Sequence, residues 1–600
     1  MSKNQLPERK DIPQELTWDL TCIYPDEAAW ENDFGQLDEL QKNVNRFAGH
    51  LADSAVMLRD AIQAMDALER KLEKLYTYSH LRHDEDTGNA AGKSLYSRIC
   101  SRASQIAADC AWFEPELLAI DDARIAGFMD SDELSFYKES IQELLRGKKY
   151  TLSEKEERIL GALSDVLGAP DDIYETLTTA DMRLPFIKDQ HGKKLELTSG
   201  NYRKYIESPD RKVRKRAFKG MFNSYKNIIH SCAATLENTV KRHVVTARLR
   251  SYDSALHKAL FADELPEKLY HNLIESVHRS IPALTGYLKL RQKVLKLKKA
   301  DMYDLYNPLV KQSSVSYTYE QAQNMVLEAV AVMGSEYQSV VQRAFDERWI
   351  DVMECRRKRS GAYSSGCYDT APYILLNFNG TLNDVFTLAH EMGHSMHSYF
   401  SRQNQDFHYA DYPIFAAEIA STTNELLLHD YLMKKYADNA DMQITLLVHL
   451  IDEVRACIYR QTMFAEFELH VHQLQEQDIP LTADKLCDDY YELNNRYYGD
   501  AIKANDLIRY EWARIPHFYY NFYVFKYATG LAAAMKFARN ILSGDPLLLE
   551  KYCGFLKAGG SAPVLDILQT AGVDFVNANV VDDALEDFSS MVKQLKKLLK

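Results

Sequence analysis

Six hundred residues exceed what one hydrophobic core holds and imply two or more domains or one large bilobal unit. A net charge of −14 disfavours sequence-independent nucleic-acid binding, which requires a basic surface. No apolar run approaches the roughly 18 residues that span a bilayer, which excludes a helical membrane anchor. Glycine (24) and proline (16) fall below average usage, so long amphipathic stretches run unbroken and the chain reads as mainly α. Nine cysteines carry no C-x-x-C pair, and Met1–Pro13 is polar without the apolar core of a secretory signal. Reduced thiols and cytoplasmic residence are therefore expected.

From Ala28 to Arg146 the apolar residues recur at helical spacing, with Trp30, Phe34, Leu37, Leu40 and Val44 as one stripe. A bundle of long antiparallel helices is expected there. Leu184–Ile187 and Lys194–Leu197 flank Asp189-Gln190-His191-Gly192 and predict a β-hairpin. Helical patterning resumes from Asp210 to about Ser251. A boundary near residue 200 follows, with an N-terminal helical domain over 1–200 that ends on the hairpin and a second domain over 201–600. Lys289–Lys299 and Lys593–Lys600 interleave leucine with lysine at helical spacing, and read as solvated helix faces rather than membrane or nucleic-acid sites. Gly361–Asn379, with Pro372 and the apolar run Tyr373–Phe378, predicts a short sheet element. An edge strand there can bind an extended peptide by main-chain pairing.

Residues 390–394 read His-Glu-Met-Gly-His. Two histidines at i and i+4 share one helix face, and the glutamate beside the first can reach a water on a metal they hold. Asn383 and Asp384 offer N-caps, and Val385, Leu388, Met392, Met396 and Tyr399 supply the core-facing stripe. Gly393 is a poor helix former, so backbone or substrate is expected to approach closely at that point. Catalytic zinc takes three protein ligands and an open position. Glu418 is the best third candidate, because a carboxylate among Phe415, Ala416, Ala417, Ile419 and Ala420 needs a partner, and Pro413 marks the start of its helix. His397 lies one turn too far along the first helix, His408 sits in a polar loop, and His429 follows three leucines as an ordinary helix histidine. Glu425, two turns beyond Glu418, can fix a ligand histidine through a hydrogen bond.

These stretches, together with Gly361–Gly366, Pro372–Asn377, Phe386–Ser395, Ala417–Thr422, Pro516–Tyr520, Tyr527–Gly530, Leu556–Ser561 and the opening Trp18-Asp19-Leu20, resemble oligoendopeptidase F of the thimet-oligopeptidase-like zinc metallopeptidases. The resemblance spans nearly the whole chain in order. It implies a large bilobal helical metallopeptidase with a small β element beside the zinc helix and a deep substrate channel. It also implies one Zn2+ per chain on His390, His394 and Glu418, with Glu391 as general base and short peptides as substrates. In that family a histidine and tyrosines on a glycine-containing segment stabilise the oxyanion, which points to His517 and Tyr520 first, then Tyr523 and Tyr527. Gly361, Ala362, Tyr363 and Tyr373 are the matching peptide-binding candidates. Two other classes fit part of the pattern: an aminopeptidase-like zinc exopeptidase, and a helical peptide-binding protein without catalysis.

Overall fold

The computed structural model describes residues 6–309, 315–502, 504–576 and 580–600. The first five residues of the polar leading segment lie outside the described residues. Helices dominate, with two small sheets among the described residues. The chain forms two compact units, each woven from three stretches. The first comprises Met1–Lys149, Val315–Tyr431 and Phe537–Gly572, and the second Tyr150–Ser314, Leu432–Lys536 and Val573–Lys600. The boundary expected near residue 200 falls inside the second unit. Hydrophobic periodicity reports local structure, and association of distant segments leaves no periodic trace.

The first unit opens with three long helices, α1 (Glu27–Asn45), α2 (Ala55–Glu85) and α3 (Ala90–Asp109), packed α1 on α2 and α2 on α3. Each begins at a side-chain cap: Asp26, Ser54 and Asn89 accept backbone N–H groups of the first turn. Trp30, Leu37 and Val44 of the predicted stripe are buried, with Phe34 and Leu40 at its half-buried margin. In the second unit, β1 (Phe186–Lys188) and β2 (Lys194–Glu196) form the predicted antiparallel hairpin, with Ile187 opposite Leu195. The helices α4 (Ile229–Leu249) and α5 (Glu267–Val294) follow in the same unit.

The second sheet belongs to the first unit. It comprises β3 (Ile350–Met353), β4 (Tyr363–Ser365) and β5 (Tyr373–Phe378) in the order β3-β5-β4. Strand β5 runs parallel to β3 and antiparallel to β4. The predicted run Tyr373–Phe378 is thus the middle strand, and the edges are β3 and β4. The burial of Tyr373, Ile374, Leu375 and Leu376 explains this, since an unbroken apolar run suits a strand covered on both faces.

Helix α6 (Leu382–Asn404) follows at once, and carries the two motif histidines. Its N-cap is Thr381, not Asn383 or Asp384. Thr381 Oγ1 accepts the Asp384 N–H at 3.2 Å, and Asp384 Oδ2 accepts the Thr381 N–H at 2.8 Å. This reciprocal box satisfies two backbone donors and is worth about 1 kcal/mol. Helix α7 (Ala417–Lys435) starts after a turn at 414–416, so Pro413 precedes the helix instead of opening it. The later helices are α8 (Gln461–Glu476), α9 (Phe525–Leu542), α10 (Pro546–Ala558), which packs on α6, and α11 (Val580–Leu598), which packs on α5. In α11 Leu595 is buried while Lys593, Lys596 and Lys597 are exposed, the solvated face expected of that segment. No helix among the described residues is long and apolar enough to cross a membrane.

Candidate metal centre

Helical spacing places His390 and His394 one turn apart on the same face of α6, and the first turn of α7 brings Glu418 to them. His390 Nε2 and His394 Nε2 are 3.2 Å apart, and Glu418 Oε2 lies 3.3 Å from the first and 3.5 Å from the second. Ligands 2.0–2.1 Å from a tetrahedral ion stand about 3.3–3.4 Å from one another. The triangle therefore has the edge lengths of three corners of a zinc tetrahedron. Among the described residues this is the one group of three His, Cys, Asp or Glu side chains close enough to share an ion.

Protonation supports the same reading. His390 Nδ1 is 2.6 Å from Glu425 Oε1, so its N–H donates to that carboxylate. The Nε2 lone pair then points at the triangle. Three electron-rich atoms facing one another repel unless a cation or a proton lies between them. Burial alone would lower His390, but hydrogen bonds to Glu418 and Glu425 and the charges of Glu425 and Glu391 raise it to about 10. The same imidazoles, through hydrogen bonds and charge, hold the Glu418 carboxyl well below its usual range. Ser421 Oγ donates to the Glu418 carbonyl at 2.9 Å and lies 3.3 Å from Oε2. Glu418 is less enclosed than its apolar neighbours suggest, with 45 % of its side chain exposed. Phe415, Ala416, Ile419 and Ala420 take the core positions, and Glu418 faces the imidazoles. Glu391 is buried, and burial pushes its carboxyl up against the opposing pull of the two imidazoles.

Gly393 explains how the two helices meet. A Cβ there would stand 2.5 Å from Ser421 Cα and 2.6 Å from the Ala420 carbonyl oxygen. The close approach expected at this glycine is made by the backbone of α7, three residues past Glu418.

The other histidines behave as core or loop residues. His397 is buried, stacked on Tyr412 at 3.6 Å, and burial lowers it to about 3. His408 contacts Asp66 and Ser140, and His429 is buried within α7. His397→Phe is therefore expected to retain bound metal while His394→Ala loses it, as measured by metal analysis of the purified proteins.

The edge strand β4 lies beside α6, and the Ser364 and Ser395 hydroxyls are 2.8 Å apart. Gly361 (φ 89°) makes the turn that leads into β4, and Asn377 Nδ2 donates to its carbonyl at 2.8 Å. The Tyr363 hydroxyl donates to Asp84 Oδ2 at 3.0 Å. The Asp84 carboxylate also contacts His80, His83 and Arg359; against the cost of burial, the contacts of His80, His83 and Tyr363 hold it down at about 2. Sequence reasoning missed Asp84, which lies in an ordinary polar stretch of α2, 279 residues from Tyr363. Tyr373 does not reach a peptide-binding surface. It is 1 % exposed in the middle strand, its hydroxyl donates to the Asp19 carbonyl at 2.8 Å, and its ring meets Trp18 edge-on.

In the second unit, His517, Tyr520, Tyr523 and Tyr527 gather into one cluster. His517 lies 5.6, 6.2 and 5.9 Å from the three tyrosine rings, and its Nε2 is 3.3 Å from the Tyr527 hydroxyl. Burial, with the nearby Arg460, lowers the imidazole, so it is neutral. Tyr519 turns the other way: it stacks on Tyr174 at 4.3 Å, and its hydroxyl is 2.8 Å from Thr235 Oγ1.

Comparison with known proteins adds an independent line. The model of peptidase family M3 matches residues 204–587, and that of oligopeptidase F matches residues 116–183. The chain is 40 % identical to oligopeptidase PepF of Bacillus subtilis over 99 % of this chain and 89 % of that one. It is 41 % identical to an oligoendopeptidase F homologue of Lactococcus lactis over 100 % of this chain and 99 % of that one. The crystal structure of oligoendopeptidase F from Enterococcus faecium superposes with a TM-score of 0.74 at 34 % identity, covering 95 % of this chain and 99 % of that one.

Proposed function

The chain belongs to peptidase family M3, among the oligoendopeptidase F enzymes, and on that premise we propose that it is a zinc-dependent endopeptidase that hydrolyses internal bonds of short peptides. The convergence of His390, His394 and Glu418 on one point carries this reading. One Zn2+ per chain would be held by these three residues, with Glu425 orienting His390. When bound, zinc supplies a Lewis acid that polarises the scissile carbonyl and acidifies water.

The chain's own residues do the rest. Glu391 takes a proton from the attacking water and delivers it to the departing amine nitrogen as the C–N bond breaks. Its burial-raised carboxyl suits a group that must both accept and donate near neutral pH. A neutral His517 N–H and the hydroxyl of Tyr520, then those of Tyr523 and Tyr527, would donate to the oxyanion. That assignment rests on the family resemblance and on donor chemistry. Gly361, Ala362 and Tyr363 would present the edge of the sheet to an extended substrate. All of these residues fall within 201–600, proposed as the catalytic domain. The preference for short peptides follows the family, and nine cysteines free of disulfides suit a cytoplasmic setting.

Cleavage of a peptide blocked at both termini, with products identified by mass spectrometry, tests this. Cuts at internal bonds are expected. Resistance of blocked peptides, with single residues released from free N-termini, would make the enzyme an aminopeptidase. No turnover of any peptide by the metal-loaded protein would leave the non-catalytic binding reading.

A further inference from the structure

The segment between His517 and α9 holds two consecutive left-handed residues that are not glycine, Asn521 (φ 50°) and Phe522 (φ 59°). No other such pair occurs among the described residues. Asparagine tolerates this conformation, but phenylalanine adopts it only when its surroundings enforce it. Such enforced backbone concentrates where a site must be held in one shape. What enforces it here is a clamp on Phe522. The ring is buried, 4.4 Å from the His472 ring and edge-on to Tyr270 at 5.7 Å. The backbone N–H donates to Glu468 Oε1 at 2.6 Å.

Glu468, on α8, is 1 % exposed, and its Oε2 has no hydrogen-bond partner. Among the described residues no cation offsets the burial. His472 Nδ1–H donates to the Glu468 backbone carbonyl at 2.8 Å, and His243 Nδ1–H donates to His472 Nε2 at 3.1 Å. Burial lowers both imidazoles, so both are neutral. The Tyr270 hydroxyl donates to the Ala465 carbonyl. Burial likewise pushes the Glu468 carboxyl up, to about 8. A buried carboxyl with one directed contact, to the backbone of a strained turn, is costly to keep for packing alone.

We propose that Glu468 is a positioning residue: by holding the Phe522 N–H it fixes the left-handed turn that keeps Tyr520 and Tyr523 against His517. The inference rests on the role proposed above for that cluster. Residues 520 and 523 flank the turn directly, so relaxation at 521 and 522 swings both rings away from the imidazole. An apolar side chain at 468 would leave the buried N–H unpaired and remove the restraint.

The test is steady-state kinetics on a blocked internally quenched peptide, with metal content and thermal unfolding measured in parallel. Glu468→Gln keeps a neutral acceptor at the same reach, and kcat is expected within about twofold of the parent. Glu468→Met removes the acceptor; kcat should fall about 10- to 100-fold, with KM changed less than about threefold and metal stoichiometry intact. Glu468→Asp, the variant to use if Met does not fold, shortens the reach by one methylene and should lower kcat about five- to tenfold. Unchanged kcat in the Met or Asp variant, or equal impairment of Gln and Met, overturns the proposal. His517→Ala and Tyr523→Phe are run alongside. If these leave kcat unchanged, the role of the whole cluster fails; if they lower it while the Glu468 variants do not, only the positioning role fails.

Discussion

Glu391→Gln is expected to retain one metal ion per chain and to lose about 100- to 10,000-fold in kcat. The two side chains are nearly isosteric, and position 391 is 7 % exposed, so the replacement fits the same space. Glutamine keeps the hydrogen-bonding outline but cannot take up a proton. The three groups that converge on the metal position remain in place, since none of their contacts passes through residue 391. Metal content and thermal midpoint should therefore match the parent, and substrate affinity should change little. A loss confined to kcat separates a proton carrier from a structural carboxylate. A variant with parental turnover would remove Glu391 from the reaction and with it the proposed mechanism.

Gly393→Ala is expected to weaken metal binding by tenfold or more and to cost about 1–3 kcal/mol of stability. The atoms that the new methyl group would strike, Ser421 Cα at 2.5 Å, Ala420 O at 2.6 Å and Ser421 N at 2.9 Å, are all backbone. No side-chain rotation relieves them, so α6 and the start of α7 must separate by an ångström or so to reach ordinary contact distance. Glu418 rides on that same turn. Metal sites tolerate ligand displacements of only about 0.2 Å. Gly35→Ala serves as the control. Gly35 also lies inside a helix, α1, but a Cβ there meets nothing within 4 Å. Helix propensity alone then applies, and that variant should gain about 0.5–1 kcal/mol. Metal titration and thermal unfolding of the two variants read both effects. Parental metal affinity in Gly393→Ala would mean that the contact between the helices does not set the ligand geometry.

The parts of the site legible in the sequence are those encoded by local spacing. His390 and His394 come together because residues four apart share a helix face, and Glu418 with Glu425 because residues seven apart lie two turns along the next helix. The hairpin at 186–196 and the strand at 373–378 were likewise readable from apolar runs between turn residues. What stayed hidden depends on packing between distant segments. The run Tyr373–Phe378 announces a strand but not its place in the sheet, and its central position buries Tyr373 rather than offering it to a peptide. Thr381 caps the helix instead of Asn383 or Asp384 because it closes a reciprocal box with Asp384 three residues on, a spacing that the sequence does carry. Asp84 and Glu468 look like ordinary helix carboxylates in the sequence. Only their contacts with Tyr363, 279 residues away, and with Phe522, 54 residues away, set them apart. The interleaving of three stretches in each unit is hidden for the same reason.

The metal assignment is tested by anomalous diffraction at the zinc absorption edge from crystals of the metal-loaded protein. One strong peak per chain is expected, about 2.0–2.2 Å from His390 Nε2, His394 Nε2 and a Glu418 carboxylate oxygen. A peak ligated by other residues, or none between these three in protein that turns over peptides, would contradict it.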